Sequence, residues 1–493
     1  MSDLDPRTPV LVGAAAVEQR GLTPDESLEP VRLMIRALER AAADAGAPEL
    51  FARADSIRIP RGFWSYPDPG RIIATAIGTP AARTVLAEIG VLQTTLLGDA
   101  ARAIATGEAE VVLIAGAEAR DRERVFARAG GTASYTEQPA GTAPDRLLAP
   151  ADDILNATEI ERGLAMPVQQ YAVLENALRA VDGTSIAAHR RAVAELWADF
   201  SRVASENPHA WSRRALSPEE IAEPSPENRM IAFPYAKAHV SQWNVDQAAG
   251  LVLCSIEMAR RAGVREDRFI FPLAVAESNH MVPLSERRDL ARSPGFRIAG
   301  ERALAAAGLS IDDVDLLEIY SCFPAAVRVQ QRELGIAPGR PLTVTGGMSF
   351  AGGPLNNFVL QALVRVVERL RAGAGATALV TAVSGMLTKQ GVSLWSRRPP
   401  ARPFRCEDVT AEAERAGERV AVDPGFTGSA RIASYTILHE GTSRRALLVC
   451  DTRAGARAIA GADVPAGTRI EDLELLGREV EIPSPGEARL SFA

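Results

Sequence analysis

Asp315 to Phe323, D-L-L-E-I-Y-S-C-F, is an apolar run that ends in a polar turn. That pattern predicts a buried strand delivering Tyr320, Ser321 and Cys322 to the end of a sheet. Just upstream, Arg302 to Gly308 is Ala-rich and stops at a Gly, which predicts a short helix closed where the chain turns left-handed. The same unit occurs earlier, where Arg36 to Gly46 leads into Ala54 to Pro60. A second pair follows in each half: Leu96 to Glu118 matches Leu360 to Gly385, each a helical pattern, a Gly-containing turn and an apolar strand. Two matches in one order predict an internal duplication, with two sheets sharing buried helices and a cleft where their strand ends converge.

The rest of the pattern fills in around this repeat. Pro9 to Val17 is apolar enough for a secretory leader, but Asp3 and Asp5 precede it and Glu18 to Arg20 follow it, so it reads as a first buried strand. Pro67 and Pro69 forbid a helix through Arg61 to Arg71 and put Trp64 and Tyr66 on a loop closing a core edge. Leu86 to Gly107 turns into a long helix expected to pack on its duplicate, Phe358 to Leu370. From about 120 to 234 the chain is richer in Arg, Pro, Gly and Glu, with amphipathic helices near Tyr171 to Leu178 and Ser185 to Val203, and reads as an insertion lying over the core. After Pro399 the alternating segments Ala430 to His439 and Arg445 to Cys450 predict a small β domain. The expected division is 1–265, including the insertion, then 266–399, then 400–493.

Composition narrows the function classes. At 493 residues and 47% hydrophobic, the chain can fill more than one core. A net charge of -7 with interspersed signs argues against general nucleic-acid binding. Cys254, Cys322, Cys406 and Cys450 are scattered, so neither a zinc site nor a disulfide framework is indicated, and a reducing cytoplasm is the simplest setting. No run reaches the roughly 20 apolar residues of a membrane span.

Several residues are placed to do chemistry. Gly346, Gly347, Gly352 and Gly353, before a helix, leave backbone N–H groups open to an oxyanion or phosphate, and Asn356 and Asn357 add polar contacts. Asn244, ahead of a small-residue apolar run, either caps that element or lies on the cleft floor. Arg213 and Arg214 are either solvated or meet a phosphate.

Four segments, Leu96 to Glu118, Leu316 to Phe323, Gly346 to Asn357 and Val383 to Leu394, together resemble the thiolase superfamily. The resemblance covers about residues 7–397, and the added β domain is similar to that of thiolase-like proteins of type 1, whose appended domain resembles an oligonucleotide/oligosaccharide-binding (OB) barrel. It implies a five-layer αβαβα duplicated fold with an inserted loop domain, and a CoA thioester as ligand with no covalently bound cofactor and no metal. It also implies a thiol nucleophile, a histidine and a second cysteine. Those positions fall near Gly90 to Leu92, at Gly353, and near Val383 and Ser384, where none of the three side chains is present. Claisen chemistry through an acyl-enzyme is therefore not expected. Cys322 could substitute only if a base made it a thiolate. Three functions follow from the resemblance: an acyltransferase-like acyl-CoA-binding protein, a CoA-thioester retro-aldolase using Tyr320 as acid or base, or a non-catalytic CoA scaffold whose β domain binds a partner. Homodimerisation is the usual habit of the fold, and extra domains can cover the surface it uses.

Overall fold

The computed structural model describes residues 4–465, 467–469 and 474–490. The first half contains β1 (Pro9–Glu18), β2 (Ser56–Pro60), β3 (Arg83–Ala87), β4 (Val111–Ala119) and β5 (Arg146–Leu148), then the short β6 (Met230–Ala232) and β7 (Tyr235–Ala236), then β8 (Asp246–Ser255). The second half supplies β9 (Phe271–Ser278), β10 (Leu316–Glu318), β11 (Thr377–Ser384), β12 (Lys389–Ser396) and β13 (Arg405–Asp408). The C-terminal region adds β14 (Gly428–Glu440), β15 (Ser443–Thr452), β16 (Arg457–Asp463), β17 (Glu479–Ser484) and β18 (Glu487–Arg489).

The duplication is explicit in the sheets. The first sheet contains the neighbours β1-β8-β4-β2 and the second β9-β12-β11-β10, so each half repeats one strand order. The helices repeat as well: Pro30–Ala45 corresponds to Pro294–Ala307, and Gln93–Thr106 to Phe358–Arg371. Leu97, Ala100 and Ile104 of one buried helix share a cluster with Phe358, Leu363 and Val367 of the other, between strand residues Val112 and Leu251 on one side and Val380 on the other. Helix Pro30–Ala45 covers the outer face of the first sheet and Pro294–Ala307 that of the second, which makes five layers. Pro at the first turn and a left-handed Gly at the end delimit both outer helices, at Gly46 and Gly308.

The insertion forms helices Pro167–Asp182 and Ile186–Glu206 and then β6 and β7. Its β5 pairs in parallel with β3 and covers the outer edge of the first sheet. In the C-terminal region β14, β15, β16, β18 and β17 close into a five-stranded barrel, and β6 joins the barrel through the pair Leu438 and Ala232. The second sheet extends beyond residue 399: β13 pairs in parallel with β9, and Arg302 on the outer helix pairs with Glu407 at 2.8 Å and Glu412 at 3.3 Å. The segment 400–416 is thus built into the α/β core, and the barrel begins at about residue 428. Trp64 and Tyr66 are buried, as a core edge requires. Among the described residues no helix is long and apolar enough to cross a membrane.

Candidate active-site cleft

The cleft is assembled from four turns at the strand ends. The first leads into helix Gln93–Thr106. Gly90 adopts φ +105°, and Gln93 Nε2 donates to Asn356 Oδ1 at 3.0 Å, while Asn356 Nδ2 donates to the Arg61 carbonyl at 2.7 Å.

The second turn, residues 319–323, is held from several sides. The Tyr320 N–H donates to Thr381 Oγ1 at 2.7 Å, its carbonyl accepts from Gln330 Nε2 at 2.8 Å, and its ring meets Phe358 edge to face at 5.9 Å. Ser321 is fully buried, its Oγ accepting from the Met348 N–H at 3.2 Å. The Cys322 carbonyl accepts from Ser241 Oγ at 2.7 Å. Burial pushes the Cys322 thiol up to about 12, so it is a neutral thiol at physiological pH. Burial, and after it the neighbouring Cys322, raise the Tyr320 hydroxyl well above its ordinary value.

The glycine-rich turn is anchored by Glu318 on β10. This carboxyl accepts from the backbone N–H groups of Val344 and Thr345, at 2.7 and 2.9 Å, and from the Thr343 and Thr345 hydroxyls. Burial raises its pKa to about 7 against those hydrogen bonds. Gly346 and Gly347 serve packing: an added Cβ would lie 2.3 Å from Ala204 N or 2.5 Å from Phe200 Cδ1, both on helix Ile186–Glu206. At Gly352 the obstacle is Gln247, and at Gly353 it is Ser241 with Met348. Asn357 Nδ2 reaches the Gln247 carbonyl at 3.5 Å. Among the described residues, Gln93 Oε1, Gln247 Oε1 and Asn357 Oδ1 are buried acceptors without a hydrogen-bond partner.

The fourth turn, residues 384–389, faces the first. Tyr171 OH donates to the Gly385 carbonyl at 3.3 Å, Arg287 donates to that of Met386, and Leu387 is left-handed at φ +63°. Lys389, 3% exposed, donates from Nζ to the Gly90 carbonyl at 2.5 Å. Beside it Glu277 accepts from Thr94 and Thr95, both hydroxyls at 2.9 Å, in the first turn of helix Gln93–Thr106.

A groove of about 980 Å³ approaches this floor, lined by Ser241 to Asn244 on one side and by Arg214, Glu220, Arg229 and Lys237 on the other. Asn244 therefore lies on the groove wall, and Ser241 joins the groove to the 319–323 turn. Arg214 reaches the groove but pairs with Glu220, and Arg213 turns back onto the Pro208 carbonyl. Lys389, Gln93, Ser241 and Glu318 were not singled out from the sequence. One signal was there for Lys389: of 55 Lys and Arg residues only two are lysines, Lys237 on the groove and Lys389 beneath the cleft. Among the described residues no cluster of His, Cys, Asp or Glu is arranged to hold a metal ion.

Two sheets sharing buried helices, with a cleft floored by turns from both halves, define a thiolase-type architecture. The family model for the thiolase C-terminal domain-like region matches residues 276–340. An acetyl-CoA acetyltransferase of Methanothermobacter thermautotrophicus is 28% identical over 200 residues, 37% of this chain, and the chain spans 50% of that enzyme's length. The crystal structure of a monomeric SCP2-thiolase like protein type 1 from Mycobacterium smegmatis is 30% identical, superimposes with a TM-score of 0.83 and covers 99% of both chains. The chain belongs to the thiolase superfamily, in its group of SCP2-thiolase-like proteins of type 1. Two other solved structures share the fold: an Ltp2-ChsH2(DUF35) aldolase, with a TM-score of 0.62 at 20% identity, covering 80% of this chain and 99% of that one. The other is human mitochondrial 3-ketoacyl-CoA thiolase in complex with CoA, at 0.57 and 16%, with the same coverage.

Proposed function

We propose that this protein binds an acyl-CoA thioester in the groove, with the acyl end at the 319–323 turn, and handles it without a covalent acyl-enzyme. The observation carrying this reading is the continuity between the groove and the turn through the Ser241 to Cys322 hydrogen bond. Arg229 and Lys237 are the cationic groups along the groove open to the nucleotide phosphates, among the carboxylates Glu219, Glu220, Glu223 and Glu227, of which Glu220 is paired with Arg214. The acetyl-CoA acetyltransferase relative and the CoA complex of the human thiolase support the ligand class. Thiolytic turnover through cysteine does not fit: Gly90 leaves no thiol at the helix turn, Gly353 no imidazole, and Cys322 stays protonated.

A second reading, retro-aldol cleavage of a β-hydroxyacyl-CoA, is favoured by the fold shared with the Ltp2-ChsH2(DUF35) aldolase. Tyr320 stands at the turn this chemistry would use, and its raised pKa suits a hydrogen-bond donor to a developing oxyanion better than a base. Calorimetric titration with CoA, acetyl-CoA and a long-chain acyl-CoA tests the first reading, and absence of binding to all three overturns it. Tyr320→Phe tests the second: loss of C–C cleavage with retained CoA binding supports it, and unchanged cleavage removes Tyr320 from the chemistry.

A further inference from the structure

The 384–389 turn also borders a second cavity, of about 370 Å³, which shares no lining residue with the groove. Its walls come from residues 280–297, the start of β12, and helix Thr410–Ala416 with the chain that follows it. The backbone here is fixed from two sides. Arg457, fully buried on β16 of the barrel, donates from Nη1 to the Arg287 carbonyl at 3.0 Å and from Nη2 to that of Arg288 at 3.2 Å. The Arg288 and Val420 N–H groups donate to the carbonyls of Glu418 and Glu286 at 3.0 and 2.8 Å.

Charge along this cavity does not balance. Five arginines line it, and four have carboxylate partners: Arg288 with Glu418 at 3.4 Å, Arg292 with Glu333 at 2.7 Å, Arg297 with Glu301 at 3.1 Å, and Arg419 with Glu286. Arg287 has none. It is 8% exposed, and among the described residues its side chain makes no ion pair and one hydrogen bond, to the Met386 carbonyl. Glu159 acts on it beyond ion-pair distance, its carboxyl taken up by the Ser285 and Asn156 N–H groups at 2.7 and 3.3 Å. Asp289, also in the lining, is exposed and accepts the Ala291 N–H at 2.8 Å. Burial lowers the Arg287 pKa to about 10, so the group stays charged at neutral pH. A buried cation beside an open cavity, with no counter-charge in contact, is a place for an anion.

We propose that this cavity binds a small monocarboxylate with an aliphatic body, its head on Arg287 and its body against Val282, Leu387, Ala413 and Ala416. One uncompensated cation calls for one negative charge, and a guanidinium fork matches the two oxygens of a carboxylate. The apolar side chains opposite select a body without polar groups, and a volume at the lower end of small-molecule pockets keeps that body short. The proposal stands on this cavity alone and is independent of the CoA reading of the groove.

Calorimetric titration of the full chain with octanoate tests it. Octylamine presents the same body with the opposite charge, and inorganic phosphate presents an anionic head without a body. Octanoate should bind one to one, and octylamine should not bind. Ala416→Trp places a ring in the cavity from an exposed position and should weaken octanoate binding by about tenfold or more. Arg287→Gln should weaken it by about 30-fold or more. If Arg287→Gln does not fold, Ala416→Trp decides. Absence of octanoate binding overturns the proposal, as does octylamine binding equally well. Phosphate binding as tightly as octanoate overturns the carboxylate assignment. Octanoate affinity unchanged in Ala416→Trp places the acid elsewhere and overturns the site.

Discussion

Glu175 ties the insertion to the cleft, and neutralising it should loosen both. The carboxyl is fully buried on helix Pro167–Asp182, where Oε1 lies 2.5 Å from Arg328 Nη1 and 2.8 Å from His189 Nε2, and Oε2 accepts from Tyr235 OH at 2.6 Å. Tyr235 OH in turn accepts the Ala325 N–H at 3.2 Å, in the first turn of the helix that follows Phe323. Burial alone would raise the Glu175 pKa, but Arg328, His189 and Tyr235 outweigh it and hold the group at about 2 against an ordinary 4.5. That difference is worth about 3 kcal/mol of folded-state stability at neutral pH, the lower end of the cost of breaking a buried charge pair. Glu175→Gln keeps the shape and removes the charge. At roughly 2–4 °C per kcal/mol for a cooperative unit of 150–250 residues, its melting temperature should fall by about 6–12 °C at pH 7. Because the folded pKa is depressed, the contribution is complete above the unfolded value near 4.5 and disappears as pH falls through about 2. The gap between wild type and variant should therefore narrow below pH 4.5. Thermal unfolding followed by tryptophan emission, to which Trp197, buried on the adjacent helix, contributes as one of five tryptophans, reads this. A loss under about 1 °C at pH 7, or a gap that widens on acidification, would refute the assignment.

Three further outcomes follow from other contacts. Burial disfavours the charge on His209, but Glu18 and Glu368 outweigh it and raise its pKa to about 9, so its contribution is complete below pH 6.5 and lost as pH rises through 9. His209→Ala should accordingly cost most near pH 6, by about 1–3 kcal/mol in urea unfolding, with a gap that closes towards pH 9.5. Gly347→Ala adds a Cβ at φ +76° and 2.5 Å from Phe200, so strain and overpacking together should destabilise the insertion by about 2–5 kcal/mol, read as faster proteolysis of 167–206. In the folded protein at pH 7.5, iodoacetamide should alkylate Cys322 more slowly than an unfolded thiol, as judged by mass spectrometry of the tryptic peptides; faster labelling would restore it as a nucleophile.

The parts of the fold that were legible obey side-chain periodicity, and the parts that were not are held by backbone pairing. Val111–Ala119 and Thr377–Ser384 announce themselves as buried strands, and their repetition exposes the duplication. Arg405–Asp408 has no such pattern; it is a strand because the edge of β9 offers unpaired backbone groups, and that offer is invisible in the chain. β6 and β7, of three and two residues, exist because the barrel supplies a partner. The site divides along the same line. Tyr320, Cys322 and Asn356 fall at the cleft because they sit at the ends of legible elements. Gly346 and Gly347, read from sequence as open backbone for a ligand, instead admit a helix from an insertion more than a hundred residues away. Lys389 was legible in neither way: its burial against the Gly90 carbonyl, which ties the two halves together, depends on strands and helices packed from far apart in the chain.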